Sequence, residues 1–185
     1  MKFETKRFNR FYRIFTPVAL VFVLWISASA FYSPGKNPSH QVGSEMMQLR
    51  EQVTGWAQTF KGLRYLYAGR SPKTGFDCSG FTRYVLNEFN INVSSSSSMQ
   101  SRQGKRISLT DVLPGDLVFF GGKGYIQHVA MVVENTAEGI ICVHSTCSRG
   151  IIVENISTSR YWKPRILYAR DVISDQAPVF AEFQM

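Results

Sequence analysis

Cys78 stands between Asp77 and the two small residues Ser79 and Gly80, at the point where a helical pattern of apolar residues begins. A thiol at a helix start meets free backbone N–H groups and the positive end of the helix dipole. Both favour the thiolate, so a lowered pKa is expected there. A thiolate is a strong nucleophile, and the same N–H groups can stabilise the oxyanion of a tetrahedral intermediate. Small neighbours would let a substrate backbone approach. The competing reading is a small buried core residue, which is a common fate of free cysteine.

Such a nucleophile needs an imidazole, and after residue 44 the chain offers His128 and His144. His128 opens the run HVAMVV and His144 ends ICVH. If these are neighbouring antiparallel strands, the intervening residues return the chain and bring the two rings together. One ring then acts as the base. The other accepts its second N–H and holds the tautomer. A metal reading competes, because Cys142, His144 and Cys147 lie close in sequence. Cys-x-His-x-x-Cys across a strand end is an unusual zinc spacing, so no metal and no cofactor is expected. Cys142 shares a strand face with His144 and is expected inward. Cys147 falls in the turn before Arg149 and Gly150, and a Cys142–Cys147 disulfide is conceivable only if geometry allows it.

The elements that must position these residues follow from the pattern. The apolar positions Leu49, Val53, Trp56, Ala57 and Phe60 mark one face of a helix expected to start with Ser44 as its cap and to end at Gly62. Phe81, Val85, Leu86 and Phe89 mark a second helix from Cys78. A short helical stretch is expected at residues 99–103, after the serine run. From Leu113 the texture becomes β: LPGDLVFF, HVAMVVE, GIICVHS, GIIVENI and RILYARDV are short apolar or alternating runs broken by Gly, Asn, Asp and Ser. Helices first and strands afterwards predict an α+β domain with an antiparallel sheet.

At 185 residues, with 44% hydrophobic and 14% aromatic content, the chain has room for one domain with a core. The first 30 residues carry a basic head and an apolar run ending in Ala28, Ser29 and Ala30, the pattern of a secretory signal, with an uncleaved anchor as the alternative. Either form places the rest outside the cytoplasm and leaves this segment as the membrane contact. Residues 31–43 read as a linker, and residues 173–185 as a loose tail. The net charge of +8 falls to +4 without residues 1–30, a mild positive surface suited to an anionic wall or membrane, and no nucleic-acid-binding motif is visible.

The segment GLRYLYAGRSPKTGFDCSGF resembles the nucleophile motif of NlpC-type cell-wall cysteine peptidases, which are papain-like. The likeness continues through LPGDLVFF, QHVAMVVE, ICVHS and RYWKPRILYAR, and covers about residues 44–172. It implies a papain-like fold with the nucleophile at a helix start, a base at His128 and a polar orienter at His144. It also implies that Tyr65 lies over the nucleophile, and that Asp77 and Ser79 recognise the free amino end of a stem peptide, although Asp77 is equally a helix cap. The implied activity is that of an exported, monomeric peptidoglycan hydrolase. The implied bond joins D-γ-glutamate to the diamino acid, and the implied intermediate is a thioester. An N-acetylmuramoyl-L-alanine amidase, an acyltransferase or a non-catalytic envelope-binding module are the alternatives. Two departures stand out: Ala68 replaces a second glycine, and Val93, Ser94, Ser95 and Ser96 replace a Leu-Pro-Arg-Ser stretch, without its arginine.

Overall fold

The computed structural model describes residues 38–122 and 124–176. The signal segment expected at 1–30 and most of the linker lie outside the described residues. Among the described residues no helix is long and apolar enough to cross a membrane. A compact unit begins at Val42. In chain order the elements are α1 (Pro38–Gln58), β1 (Arg70–Ser71), β2 (Gly75–Phe76), α2 (Cys78–Glu88), α3 (Ser97–Gln100), β3 (Lys105–Ile107), β4 (Leu117–Gly122), β5 (Tyr125–Thr136), β6 (Gly139–Thr146), β7 (Gly150–Asn155), a 3-10 turn (Lys163–Arg165) and β8 (Ile166–Asp171).

The long strands form a six-stranded antiparallel sheet in the order β3-β8-β4-β5-β6-β7, as the α+β reading requires. One face packs on the helices through Val53, Phe76, Phe81, Val85, Leu86, Val129, Met131 and Val143. The other carries a smaller apolar cluster around Val118, Phe120, Val132, Cys142, Ile156 and Trp162.

Four expectations need correction. The first helix starts at Pro38, not at Ser44. A proline at the first helical position has φ preset and lacks an N–H that would be unsatisfied there anyway. Trp56 lies on the expected apolar face but is exposed, while Arg50 is buried at 1% exposure. Arg50 reaches Asp116 at 2.7 Å and Asp171 at 2.8 Å, and so ties α1 to the start of β4 and the end of β8. The short helix is Ser97–Gln100, capped by Ser96, and not 99–103. The domain also extends past 172: Ile173 is fully buried, Ser174 accepts from Arg50 at 3.1 Å, and Gln176 accepts from the Asn92 N–H at 2.9 Å.

Ala68 holds a left-handed backbone, φ +55°, which explains why glycine suits that position. A Cβ at Gly80 would lie 2.1 Å from the Gly69 carbonyl oxygen, so its bareness lets α2 dock against its own preceding loop.

Candidate active site

Cys78 is the first residue of α2, with Asp77 as N-cap. Asp77 Oδ1 accepts from the Gly80 N–H at 2.6 Å and from the Ser79 hydroxyl at 3.1 Å, so the cap reading of Asp77 holds. Ser79 is buried, and its single hydroxyl proton is shared between Asp77 and the Ser95 carbonyl, also at 3.1 Å. Gln100 fastens the serine run to α2: its amide donates to the Ser79 carbonyl at 3.0 Å and the Ser94 carbonyl at 2.8 Å, and its oxygen accepts from Thr82 at 2.9 Å.

The thiol is half-buried. The expected lowering of its pKa does not occur. Burial pushes it up to about 11, against the hydrogen bonds that the backbone N–H groups of Val129, Ser79 and Cys78 itself supply. Removing water from around a developing anion outweighs three neutral donors. The Val129 donor places the sulfur beside the residue that follows His128.

His128 and His144 come together on the β5–β6 hairpin, as expected. His128 Nε2 and His144 Nδ1 are 2.9 Å apart. The strands extend further than expected, so His128 is the fourth residue of β5 and His144 the sixth of β6. Cys142 lies inward and fully buried, and Cys147 is exposed in the turn after β6. All three cysteines are free. A disulfide between the latter two is ruled out by the extended strand, whose ~3.3 Å rise per residue separates them far beyond the ~7 Å limit between Cα atoms. Among the described residues no group of three or more His, Cys, Asp or Glu side chains is placed to hold a metal ion.

Three residues that sequence reasoning passed over complete the arrangement. Glu154 on β7 accepts from His144 Nε2 at 3.0 Å, from Trp162 Nε1 at 2.8 Å and from Arg149 at 2.7 Å, all at Oε1. Burial alone would raise the Glu154 pKa, but the bonds from Arg149 and Trp162 and the neighbouring His144 hold it below the usual carboxylate range. An ionised carboxylate only accepts, so His144 carries its proton on Nε2 and presents a bare Nδ1. His144 Nδ1 then accepts from His128 Nε2–H, and the lone pair of His128 is left on Nδ1. The relay thus fixes both tautomers from a single carboxylate.

Trp162 stacks on His128 with centroids 4.5 Å apart and planes 24° apart, and its ring edge meets His144 at 5.0 Å. This cover keeps both imidazoles neutral: burial, then the neighbouring His144, lowers His128 to about 3, and burial lowers His144 to about 4 against the pull of Glu154.

Tyr65 reaches the site on a loop bound to the sheet edge. The Gly62 N–H donates to the Ile151 carbonyl at 2.8 Å, and the Ile151 N–H to the Leu63 carbonyl at 2.9 Å. The phenol is raised above its usual pKa by burial, then by a hydrogen bond with Cys147 and by the nearby Cys147, Cys78 and Asp77.

Comparison with known proteins matches residues 62–171, more than half of the chain, to the NlpC/P60 family. The gamma-DL-glutamyl hydrolase of Bacillus subtilis (strain 168) is 34% identical over 131 residues, covering 69% of this chain and 31% of that protein. The murein DD-endopeptidase MepS/murein LD-carboxypeptidase of Escherichia coli (strain K12) is 34% identical over 128 residues, covering 69% of this chain and 63% of that protein. This chain thus spans about a third of the first relative and somewhat under two thirds of the second. Among solved structures, an NlpC/P60 family protein from Bacillus cereus ATCC 10987 superposes with a TM-score of 0.62 at 30% identity, covering 67% of this chain and 40% of that one.

Proposed function

The chain belongs to the NlpC/P60 family, and from that premise we propose that it is a peptidoglycan hydrolase cutting an amide bond of the stem peptide, with Cys78 as nucleophile and His128 as base. The observation that carries the reading is the chain of hydrogen bonds from Glu154 through His144 to His128, which aims a bare imidazole nitrogen from the residue beside the thiol's Val129 donor.

With the thiol near 11 and the imidazole near 3, the resting pair is neutral. The thiol proton therefore passes to His128 Nδ1 as sulfur attacks the carbonyl, and no thiolate is stored beforehand. The backbone N–H groups at the start of α2, with the Tyr65 hydroxyl, receive the oxyanion. The imidazolium returns its proton to the leaving amine, a thioester remains on Cys78, and water activated by the same imidazole releases the acid.

The B. subtilis relative is named for a γ-DL-glutamyl bond, and this favours the bond between D-γ-glutamate and the diamino acid. Asp77 and Ser79 would receive the free amine of the L-alanine end. A carboxylate accepts more bonds than the two that Asp77 Oδ1 takes, so capping and recognition are compatible. Action at the envelope, after export through residues 1–30 and as a monomer, completes the proposal.

Incubating the purified protein with L-Ala-γ-D-Glu-diamino acid tripeptide and with sugar-linked stems, then weighing the products, tests this reading. Release of L-Ala-D-Glu is expected, and should be lost in Cys78→Ser and His128→Ala. Release of the intact peptide from its sugar would establish the amidase alternative, and transfer to an added amine the acyltransferase. Full turnover by Cys78→Ser would end the nucleophile assignment.

A further inference from the structure

Beside His128 lies a cavity of about 290 Å3. Its lining includes His128, Thr146 and Trp162 together with Arg149, Tyr161 and Arg165. This volume is at the small end of ligand pockets, room for one residue more than for an extended chain.

The charges around it are one-sided. Among the described residues lining it, two are guanidiniums and none is a carboxylate. Arg149 is anchored by Glu154 at 2.7 Å and remains 55% exposed. Arg165 donates to the Tyr161 carbonyl at 2.6 Å and lies 4.0 Å from the centre of the Tyr161 ring. Each guanidinium is thus held in place while most of its five N–H donors stay uncommitted. Two pre-positioned forks with spare donors are suited to a planar carboxylate.

The geometry of the reaction says which carboxylate. This step rests on the stem-peptide reading above. The acyl half of the substrate extends from Cys78 toward Asp77. The amine half receives its proton from His128 and therefore departs beside that ring, which lines the cavity. A carboxylate on the residue that supplies the amine is two bonds from the departing nitrogen. We infer that the cavity is the leaving-group site, and that Arg149 and Arg165 bind the free α-carboxylate of the diamino acid released, so that stems ending at this residue are preferred.

The test compares two tripeptides, L-Ala-γ-D-Glu-diamino acid with its α-carboxyl free and with that carboxyl converted to the carboxamide. Wild type should show a KM roughly tenfold lower for the free acid, the weight of one charge-assisted pairing. Arg165→Gln should collapse that ratio toward one, and Arg165→Lys should keep part of it, since a point charge attracts without the fork. The ratio is taken within each variant, so a loss of folded protein, which lowers both rates, does not mimic the result. Equal KM for both peptides in wild type, or a tenfold ratio that survives Arg165→Gln and Arg149→Gln alike, overturns the inference while leaving the hydrolase reading intact. Cleavage of neither peptide overturns the hydrolase reading and this inference with it.

Discussion

Glu154 sets the proton on His144 and, through it, the proton on His128, although it touches neither the thiol nor any proposed position of substrate. Its replacement by glutamine tests this control without emptying the site. A glutamine must keep its oxygen toward the Trp162 and Arg149 donors, which share Oε1 with His144, but it carries no charge, so it holds the His144 proton on Nε2 more weakly and lets the opposite tautomer form. His128 would then present N–H to the thiol, the wrong tautomer for a base. Glu154→Gln is expected to lower kcat by roughly 10–100-fold, the usual scale for a residue that acts through another, with little change in KM for the carboxamide peptide, whose binding does not draw on Arg149. Glu154→Asp, which only accepts, should recover part of the rate; a simple loss of packing would give two equally poor variants. The sequence made Cys78, His128 and His144 legible because each stands at the end of a recognisable run. Glu154 was not legible. In GIIVENI it reads as an outward polar residue, and its meaning depends on the pairing of Cys142 with Glu154 across β6 and β7. Trp162 was hidden in a loop for the same reason, and the thiol's pKa was misjudged because burial is not written in the motif.

Among the elements, α1 depends on a buried ion pair more than its apolar stripe suggests. Arg50 donates to Asp116, Asp171, Ser174 and the Pro114 carbonyl, so one side chain joins the helix to β4, β8 and the segment after it. Arg50→Ala would leave two carboxylates in a poorly solvated place. The loss of a buried partner costs about 3–5 kcal/mol, which lowers the thermal midpoint by roughly 10 °C or more in a domain of this size. Calorimetry of the variant measures it, and a drop under about 2 °C would show that water replaces the guanidinium freely. Helix periodicity foretold α2 from Cys78 and the body of α1, though not its start. It did not foretell a charged residue on the buried side of α1, because the carboxylates that satisfy it come from positions 66 and 121 residues further along the chain.

Over the whole molecule, the neutral imidazoles, His144 buried and His128 half-buried under Trp162, make stability depend on pH. In the unfolded chain each histidine takes a proton near its ordinary 6.5, whereas in the fold His128 holds out to about 3 and His144 to about 4. Between pH 6.5 and 4 the unfolded state therefore binds more protons at these two positions, and stability falls as pH falls. Asp116 opposes this: burial raises it to about 6 despite Arg50, so the folded state takes its proton first. Two groups outweigh one, and the lowered carboxyls of Asp171 and Glu154 add to the same trend at the acid end. The thermal midpoint is expected to be lower at pH 4.5 than at pH 7, and the difference should shrink in Trp162→Ala, where water reaches both rings. A midpoint that rises toward pH 4.5 in wild type and in Asp116→Asn alike would mean that the imidazoles are charged in the fold.

The place of β8 has a consequence in time. It is the last strand in the chain among those described, yet it lies inside the sheet, between β3 and β4. A ribosome delivers Cys78 first, then the two histidines, then Glu154 and Trp162, and only afterwards the strand that closes the row. Until it arrives, β4, which carries the Phe120 ring packed on His128, has a bare edge. A chain that has grown only this far thus holds Cys78, both histidines and Glu154 without the strand that completes the frame around them.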